Sequence, residues 1–425
     1  MRDIFLRALE QETVERAMQR YVTRVADGLQ IEGEVLPLSE ERKLKVIALG
    51  KAGHTMAAAL AGYLSSEWEG VVASPVDVEA KVDGLQYFRG GHPMPNQASL
   101  DAADAILKTL APGDDSSQVI YLLSGGGSAS AEKPLDPRMT LEDVVAVNQA
   151  LVHCGAPIAQ INAIRKHLSA IKGGRMSRAA GSARQVSLLI SDVPAEVPDA
   201  LASGPTMADP TTVDDCYVIA EKYKLLAEFP ATVRGIFERR ELQETPKASD
   251  TAFMRSRWLT ILSNASLVAA AQKQAVGMGF TVQVDSGCDD WDYTSASEYL
   301  LKRLRSMRQG GQPVCLISGG EVTVRVSSGG VGGRNQQFAL ACAEQIRGEN
   351  IAVLSAGSDG VDGNSPAAGG VVDGTTIERA GARGLSVRAA LERFDAYPLL
   401  EALGDAVLTG PTGNNLRDLR ILVAW

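Results

Sequence analysis

Short apolar runs that break into glycine turns and then into helices recur through the 425 residues, and this alternation limits the fold more than any other feature. Lys45-Val46-Ile47-Ala48-Leu49 runs into Gly50-Lys51-Ala52-Gly53 and an alanine-rich stretch opening near Thr55. Val119 to Leu123 runs into Ser124-Gly125-Gly126-Gly127-Ser128, and Val186 to Ile190 into Ser191-Asp192-Val193-Pro194. Strands alternating with helices predict an α/β fold, a Rossmann-like parallel sheet with helices on both faces. Two helices are expected at Leu141 to His153 and Pro157 to Leu168, and one long helix from Arg2 to Gly28.

The second half repeats the grammar. Strands are expected at Leu259 to Leu262, Thr281 to Val284, Val314 to Ile317, Val322 to Val326 and Ile351 to Leu354, and a strand-like Leu419 to Val423 closes the chain. Helical runs are Leu267 to Met278, Ala296 to Arg308 and Gln337 to Ile346. The chain is too long for one ordinary core. The charged region Tyr217 to Asp250, with its break at Pro246-Lys247-Ala248-Ser249, marks the boundary between an N-terminal domain of residues 1–245 and a C-terminal α/β domain of residues 246–425. The last strand is free to return to the N-terminal domain.

Composition narrows the partners. A net charge of −9 argues against nucleic acid or an anionic membrane as partner, so an anionic substrate needs local cations. The five cysteines contain no Cys-x-x-Cys pair, which argues against a thiolate zinc site. No apolar run approaches membrane-spanning length, and a reducing cytoplasm is expected.

Chemistry concentrates in the turns. Strands that end in glycine and small hydroxyl residues expose backbone N–H groups to an anion, as at Ser124, Gly125, Gly126, Gly127 and Ser128. Gly-x-Gly-x-x-Gly is absent there, because Ala129-Ser130 follows, and this weakens a dinucleotide-binding reading. Lys51 sits at a strand-to-helix turn where its ammonium and helix N–H groups converge on one anion, although the loop is not a Walker A motif. Asp192 ends a buried strand, suited to a metal ion, a hydroxyl proton or a helix cap. Ser318-Gly319-Gly320-Glu321 and Gly332-Gly333-Arg334-Asn335-Gln336 flank a short apolar run; the planar fork of Arg334 suits a carboxylate or phosphoryl group. Asp359 and Asp362 share a glycine turn that lacks EF-hand spacing but supplies the one or two carboxylates magnesium needs. Of the histidines, His92 lies in a rigid Gly-Gly-His-Pro-Met-Pro loop, while His54, His153 and His167 read as structural.

Together these segments resemble the class II glycerate kinases, the glycerate 2-kinase family whose C-terminal module is called MOFRL. The matching residues are ALGKAG (Ala48 to Gly53), GGHPMPN (Gly90 to Asn96), LLSGGGSA (Leu122 to Ala129), NAIRKHLSAIKGGR (Asn162 to Arg175), ISDVP (Ile190 to Pro194) and ASGPT (Ala202 to Thr206). SGGE (Ser318 to Glu321), GGRNQ (Gly332 to Gln336), AGSDGVDG (Ala356 to Gly363) and TGPTGNN (Thr409 to Asn415) continue the series in order, with Asn414 standing where the family pattern has threonine.

The resemblance implies an enzyme that phosphorylates D-glycerate at the 2-hydroxyl with ATP and Mg²⁺, and two α/β domains with the active site in the cleft between them. It implies Lys51 and Arg334 as a cationic clamp and Ser124 to Ser128 as a phosphate cradle, with Glu321 and Asn335 also on the nucleotide. Asp192 orients the hydroxyl or takes its proton, Asp359 is a metal ligand, and the two carboxylates are free to exchange these roles. Self-association into a homo-oligomer is compatible with this reading. The alternatives are an NAD(P)H-dependent hydroxypyruvate reductase, a label the family has carried, and a non-catalytic sensor of a sugar acid or nucleotide.

Overall fold

A computed structural model of the chain describes all residues except 39–43, 65–67, 79, 112, 195, 309–310 and 327–328. The chain forms two compact units, one of Ala17–Ile261 and the other of Met1–Arg16 with Leu262–Trp425.

The first unit is built on a six-stranded sheet in the order Leu85–Arg89, Trp68–Ser74, Leu44–Leu49, Gln118–Ser124, Arg184–Ser191, Ser256–Ser263. The first five strands run parallel. Leu44–Leu49 and Gln118–Ser124 are buried at every position, the pattern expected where both sheet faces are covered. Ile47, Val71, Val119 and Leu189 from the sheet pack with Ala103, Ile106 and Leu110 of the helix Gln97–Leu110. A second apolar cluster joins the helices Leu141–His153, Ile158–Leu168, Val213–Lys222 and Ala231–Glu238.

The expected helix Arg2 to Gly28 is not one element. Helices Arg2–Gln11 and Val14–Tyr21 give way to a three-stranded antiparallel meander, Val22–Val25, Gly28–Ile31 and Glu34–Pro37. Val22, Thr23 and Val25 are β-branched and favour extended backbone. Glu32 and Gly33, both at positive φ, make the tight hairpin turn that follows.

The second unit's sheet runs Thr281–Val284, Val314–Gly319, Asp418–Ala424, Ile351–Gly357, Gly369–Asp373, Ala406–Val407. Its first pair is parallel and the remaining pairs are antiparallel. The final strand therefore stays in this unit, inserted at the centre of the sheet. The opening helix Arg2–Gln11 packs here on the helix Asn264–Gly277, with Ile4 and Phe5 fully buried. Two expected strands differ. Leu259 to Leu262 lies in Ser256–Ser263, on the edge of the first unit's sheet. Val322 to Val326 is irregular: Val322 is buried and Thr323 bridges to Asp292, but no ladder forms.

Candidate functional site

In the first unit three neighbouring parallel strands end side by side, and open α/β sheets bind ligands at such carboxyl ends. Gly50 turns the chain at φ +97, and a Cβ there would lie 2.4 Å from the Ser124 carbonyl oxygen, so only glycine fits. The Lys51 N–H donates to the Gly125 carbonyl at 2.9 Å. Ser124 Oγ accepts from the Ala52 N–H at 3.0 Å and donates to the Leu49 carbonyl at 3.0 Å. These bonds lock two glycine turns together while the Lys51 side chain stays exposed.

The bare backbone of Gly125 and Gly126 is the surface on which the functional groups meet. A Cβ on Gly125 would fall 2.0 Å from Asp192 Oδ2. One on Gly126 would fall 3.4 Å from Lys51 Cγ and 3.5 Å from His92 Nδ1. Gly126, at φ +82, opens the single helical turn Gly127–Ser130. The first hydrogen bond of that turn runs from the Ala129 N–H to the Gly126 carbonyl at 3.4 Å. The His92 imidazole is pushed below its ordinary range, first by loss of solvent and then by the Lys51 ammonium, and is neutral at pH 7.

The segment Asn162 to Arg175 spends its cations internally. Lys166 Nζ donates to Asp199 at 2.6 Å and to Asp209 at 3.3 Å, and Lys172 pairs with Glu132. Gly173 and Gly174 donate to the carbonyls of Ser203 and Gly204 at 3.1 and 2.8 Å. This holds Ala202 and Ser203 at φ +50 and +59, a strained conformation of the kind stored at functional loops. Ser203 Oγ in turn lies 2.9 Å from Ser128 Oγ. His54 bonds Tyr87 and the buried His167 bonds Ala163 and Glu244, both structural uses.

The second unit carries a chain of alternating charges. Arg334, first residue of the helix Arg334–Gln345, forks onto Asp418 through Nε at 2.6 Å and Nη2 at 3.0 Å. Its Nη2 also meets Glu321 Oε1 at 2.7 Å. Arg417, held at φ +64, forks onto Asp289 at 2.8 and 2.7 Å and lies 3.9 Å from Glu321 Oε1. Burial pushes the Glu321 carboxyl above its ordinary range despite the two arginines. Burial opposes the Arg334 charge, but Asp418 and Glu321 outweigh it and keep the guanidinium ionised.

Asp359 is half-buried and accepts the Val361 N–H at 3.1 Å. A Cβ on Gly357 would lie 3.2 Å from Asp359 Oδ1 and 3.5 Å from Asp418 Oδ1, so both carboxylates border one stretch of backbone. Asp362 is buried and caps the helix Arg334–Gln345, accepting from Asn335 N–H at 3.1 Å, Asn335 Nδ2 at 3.3 Å and Gln336 N–H at 2.9 Å. Burial raises its pKa to about 7. Asn335 Oδ1 also accepts from Ser355 Oγ at 2.6 Å, so both ends of this side chain are held. Thr412 braces the Asp359 loop through the Ser358 carbonyl at 2.6 Å, and Asn414 Nδ2 donates to the Glu12 carbonyl at 2.7 Å. A cavity of ≈ 580 Å³ opens beside Arg334 and Asp359.

Within the first unit, then, Lys51, Gly125, Gly126 and Asp192 gather, with His92 added. Within the second, Arg334 and Glu321 touch, Asp359 lies near them, and Asn335 serves the helix cap. Sequence reasoning missed Asp418, Arg417 and Asp289. Arg417-Asp418 directly precedes the apolar run Leu419 to Val423, which is its one legible signal; Asp289 offers none. Among the described residues no group of three or more His, Cys, Asp or Glu side chains is arranged to hold a metal ion.

Comparison with known proteins covers nearly the whole chain. A domain of unknown function, DUF4147, matches residues 1–238, and the MOFRL family matches residues 314–418. D-glycerate 2-kinase of Thermotoga maritima is 34% identical over 91% of this chain and 92% of its own. A relative from Agrobacterium vitis, also 34% identical over 91% of this chain and 89% of its own, bears the provisional name hydroxypyruvate reductase. A crystal structure of glycerate kinase from Thermotoga maritima superposes with a TM-score of 0.88 at 31% identity, over 100% of this chain and 98% of that one.

Proposed function

The chain belongs to the MOFRL-type glycerate 2-kinase family, and on that premise we propose that it transfers the γ-phosphoryl group of ATP to the 2-hydroxyl of D-glycerate. The observation that carries this reading is the meeting of Lys51 and Asp192 on the bare Gly125-Gly126 backbone, a cation and a carboxylate beside one glycine turn. Phosphoryl transfer asks a protein for little more than positioning and charge stabilisation.

The glycerate hydroxyl oxygen attacks the γ-phosphorus, the bond to the β–γ bridging oxygen breaks, and ADP leaves with that electron pair. Asp192 orients the hydroxyl and takes its proton. In the first unit Lys51 serves as a cation for a substrate anion and the amides from Ser124 to Ser128 cradle nucleotide phosphates; in the second unit Arg334 serves as a cation for a carboxylate or phosphoryl group. Glu321 fixes the Arg334 fork. Hard carboxylate oxygens such as those of Asp359 and Asp192 fit Mg²⁺, which supplies charge neutralisation on the phosphates when bound.

The single helical turn after Gly126 disfavours the reductase reading, since a dinucleotide site needs a full helix behind its glycine loop. No helix among the described residues is long and apolar enough to cross a membrane, and the five cysteines are unpaired, which supports a cytoplasmic enzyme of small molecules. The test is ADP formation from ATP and Mg²⁺ with and without D-glycerate, set against NAD(P)H oxidation with hydroxypyruvate. Glycerate-dependent ADP formation is expected. Hydroxypyruvate-dependent oxidation without it would replace the kinase with the reductase.

A further inference from the structure

Among the described residues, Arg420 is the largest fully buried side chain, set in the apolar strand Asp418–Ala424. Burial pulls its pKa down, yet arginine is not deprotonated in proteins, so a charge sits in the core. Its Nε and Nη1 have no hydrogen-bond partner among the described residues. A cation buried with so few bonds is kept at a cost in stability. The bonds it does make come from Nη2, which donates to the Gly319 carbonyl at 2.5 Å and the Gly320 carbonyl at 3.2 Å.

Those carbonyls belong to the turn Ser318-Gly319-Gly320-Glu321, whose N–H groups are taken as well. Gly319 N–H donates to Ser286 Oγ at 2.9 Å, Gly320 N–H to Asn264 Oδ1 at 2.9 Å, and Glu321 N–H to Asp289 Oδ1 at 2.8 Å. A Cβ on Gly319 would lie 1.9 Å from Asn264 Oδ1, and one on Gly320, at φ +86, 2.6 Å from Asp289 Oδ1. This glycine turn therefore does not offer these amides to an anion. It is clamped on both sides, and what it presents is the Glu321 side chain, 2.7 Å from Arg334 Nη2.

Arg420 also reaches the helix that carries Arg334. Its Cζ lies 5.6 Å from the ring centroid of Phe338, one helical turn past Arg334. Asp418, the other partner of Arg334, precedes Arg420 by two residues and so shares its face of the strand.

We propose that Arg420 is a positioning residue: it fixes the Gly319-Gly320 turn and thereby the Glu321 carboxylate that aligns the Arg334 guanidinium. Its effect on turnover rests on the kinase reading, whereas the clamp does not.

Arg420→Lys keeps the cation but loses the reach over two carbonyls, and Arg420→Met keeps the bulk but loses the charge. Amide hydrogen exchange of peptides spanning Ser318 to Glu321 should speed about tenfold in both, while Ile351–Gly357 keeps wild-type protection. The kcat for glycerate-dependent ADP formation should fall about tenfold in Arg420→Lys and about 10²-fold in Arg420→Met, with both KM values within about twofold. In a Glu321→Gln background Arg420→Lys should lower kcat no further, because the two changes break one unit. The thermal midpoint of Arg420→Lys should stay near wild type, and if Arg420→Met does not fold, Arg420→Lys alone carries every readout. Unchanged exchange at the turn overturns the proposal, as does a full additional loss in the Glu321→Gln background. Faster exchange throughout the sheet with a lowered midpoint also overturns it, by making Arg420 a plain core residue. Loosening confined to the turn, in a chain whose wild type shows no glycerate-dependent turnover, sinks the kinase reading instead and leaves the clamp standing.

Discussion

Asp362 carries a charge that its surroundings disfavour, held in place by three N–H donors at a helix start. Its pKa rises from the ordinary aspartate value of 3.8 to about 7 on folding, so the folded chain holds that proton more tightly than the unfolded one. The linked stability is present below the unfolded pKa and is lost as pH rises toward 7. Asp362→Asn should therefore lose less thermal stability than wild type between pH 5 and 7.5, read by melts at both values; parallel slopes would contradict the assignment. Neither this role nor the forks of Arg334 and Arg417 is legible in sequence. Arg334 stands out among glycines as a cation with a purpose, but its partner Asp418 lies on a strand far along the chain, and pairing at that distance leaves no local pattern.

The glycine turns are the elements that sequence described best, because their requirement is local: a strand ends and a side chain has no room. That requirement differs between two of them. Gly50→Ala forces a Cβ against Ser124 backbone at positive φ, where nothing can yield, and should destabilise the protein by about 1–3 kcal/mol. Gly125→Ala meets the movable carboxylate of Asp192 instead. It should cost roughly 10²-fold in kcat with a thermal midpoint near wild type, because a small displacement of a reacting group is enough to lose catalysis. Equal destabilisation by both would place Asp192 in the scaffold. The elements misjudged in sequence failed for identifiable reasons. Arg2 to Gly28 mixes helical and β-branched residues, and its Glu32-Gly33 hairpin lies past the expected helix end. Val322 to Val326 has strand-like residues, but among the described residues its pairing is the single bridge of Thr323 to Asp292.

The alternation of strands and helices made an α/β protein of two parts legible, and the order of motifs made its family legible. Sheet order in the second unit was not, since an antiparallel final strand between Val314–Gly319 and Ile351–Gly357 depends on contacts far apart in the chain. The same holds for Arg2–Gln11, whose amphipathic face reads as a helix but does not say which unit receives it. With Phe5 fully buried in that packing, Phe5→Ala should cost about 3–5 kcal/mol. Calorimetry should show the loss in the transition of the unit formed by Met1–Arg16 and Leu262–Trp425. A loss confined to the other transition would contradict the packing.

The proposed reaction places one phosphoryl group on one oxygen. The direct measurement is phosphorus and carbon NMR of the product formed from D-glycerate, ATP and Mg²⁺, with wild type and Lys51→Ala run side by side. Lys51 is exposed, so its loss should leave the fold intact and lower turnover by about 10²–10³-fold. Phosphate on the C2 oxygen, formed by wild type and lost in the variant, is the predicted result. Phosphate on C3, or full turnover by Lys51→Ala, would contradict it.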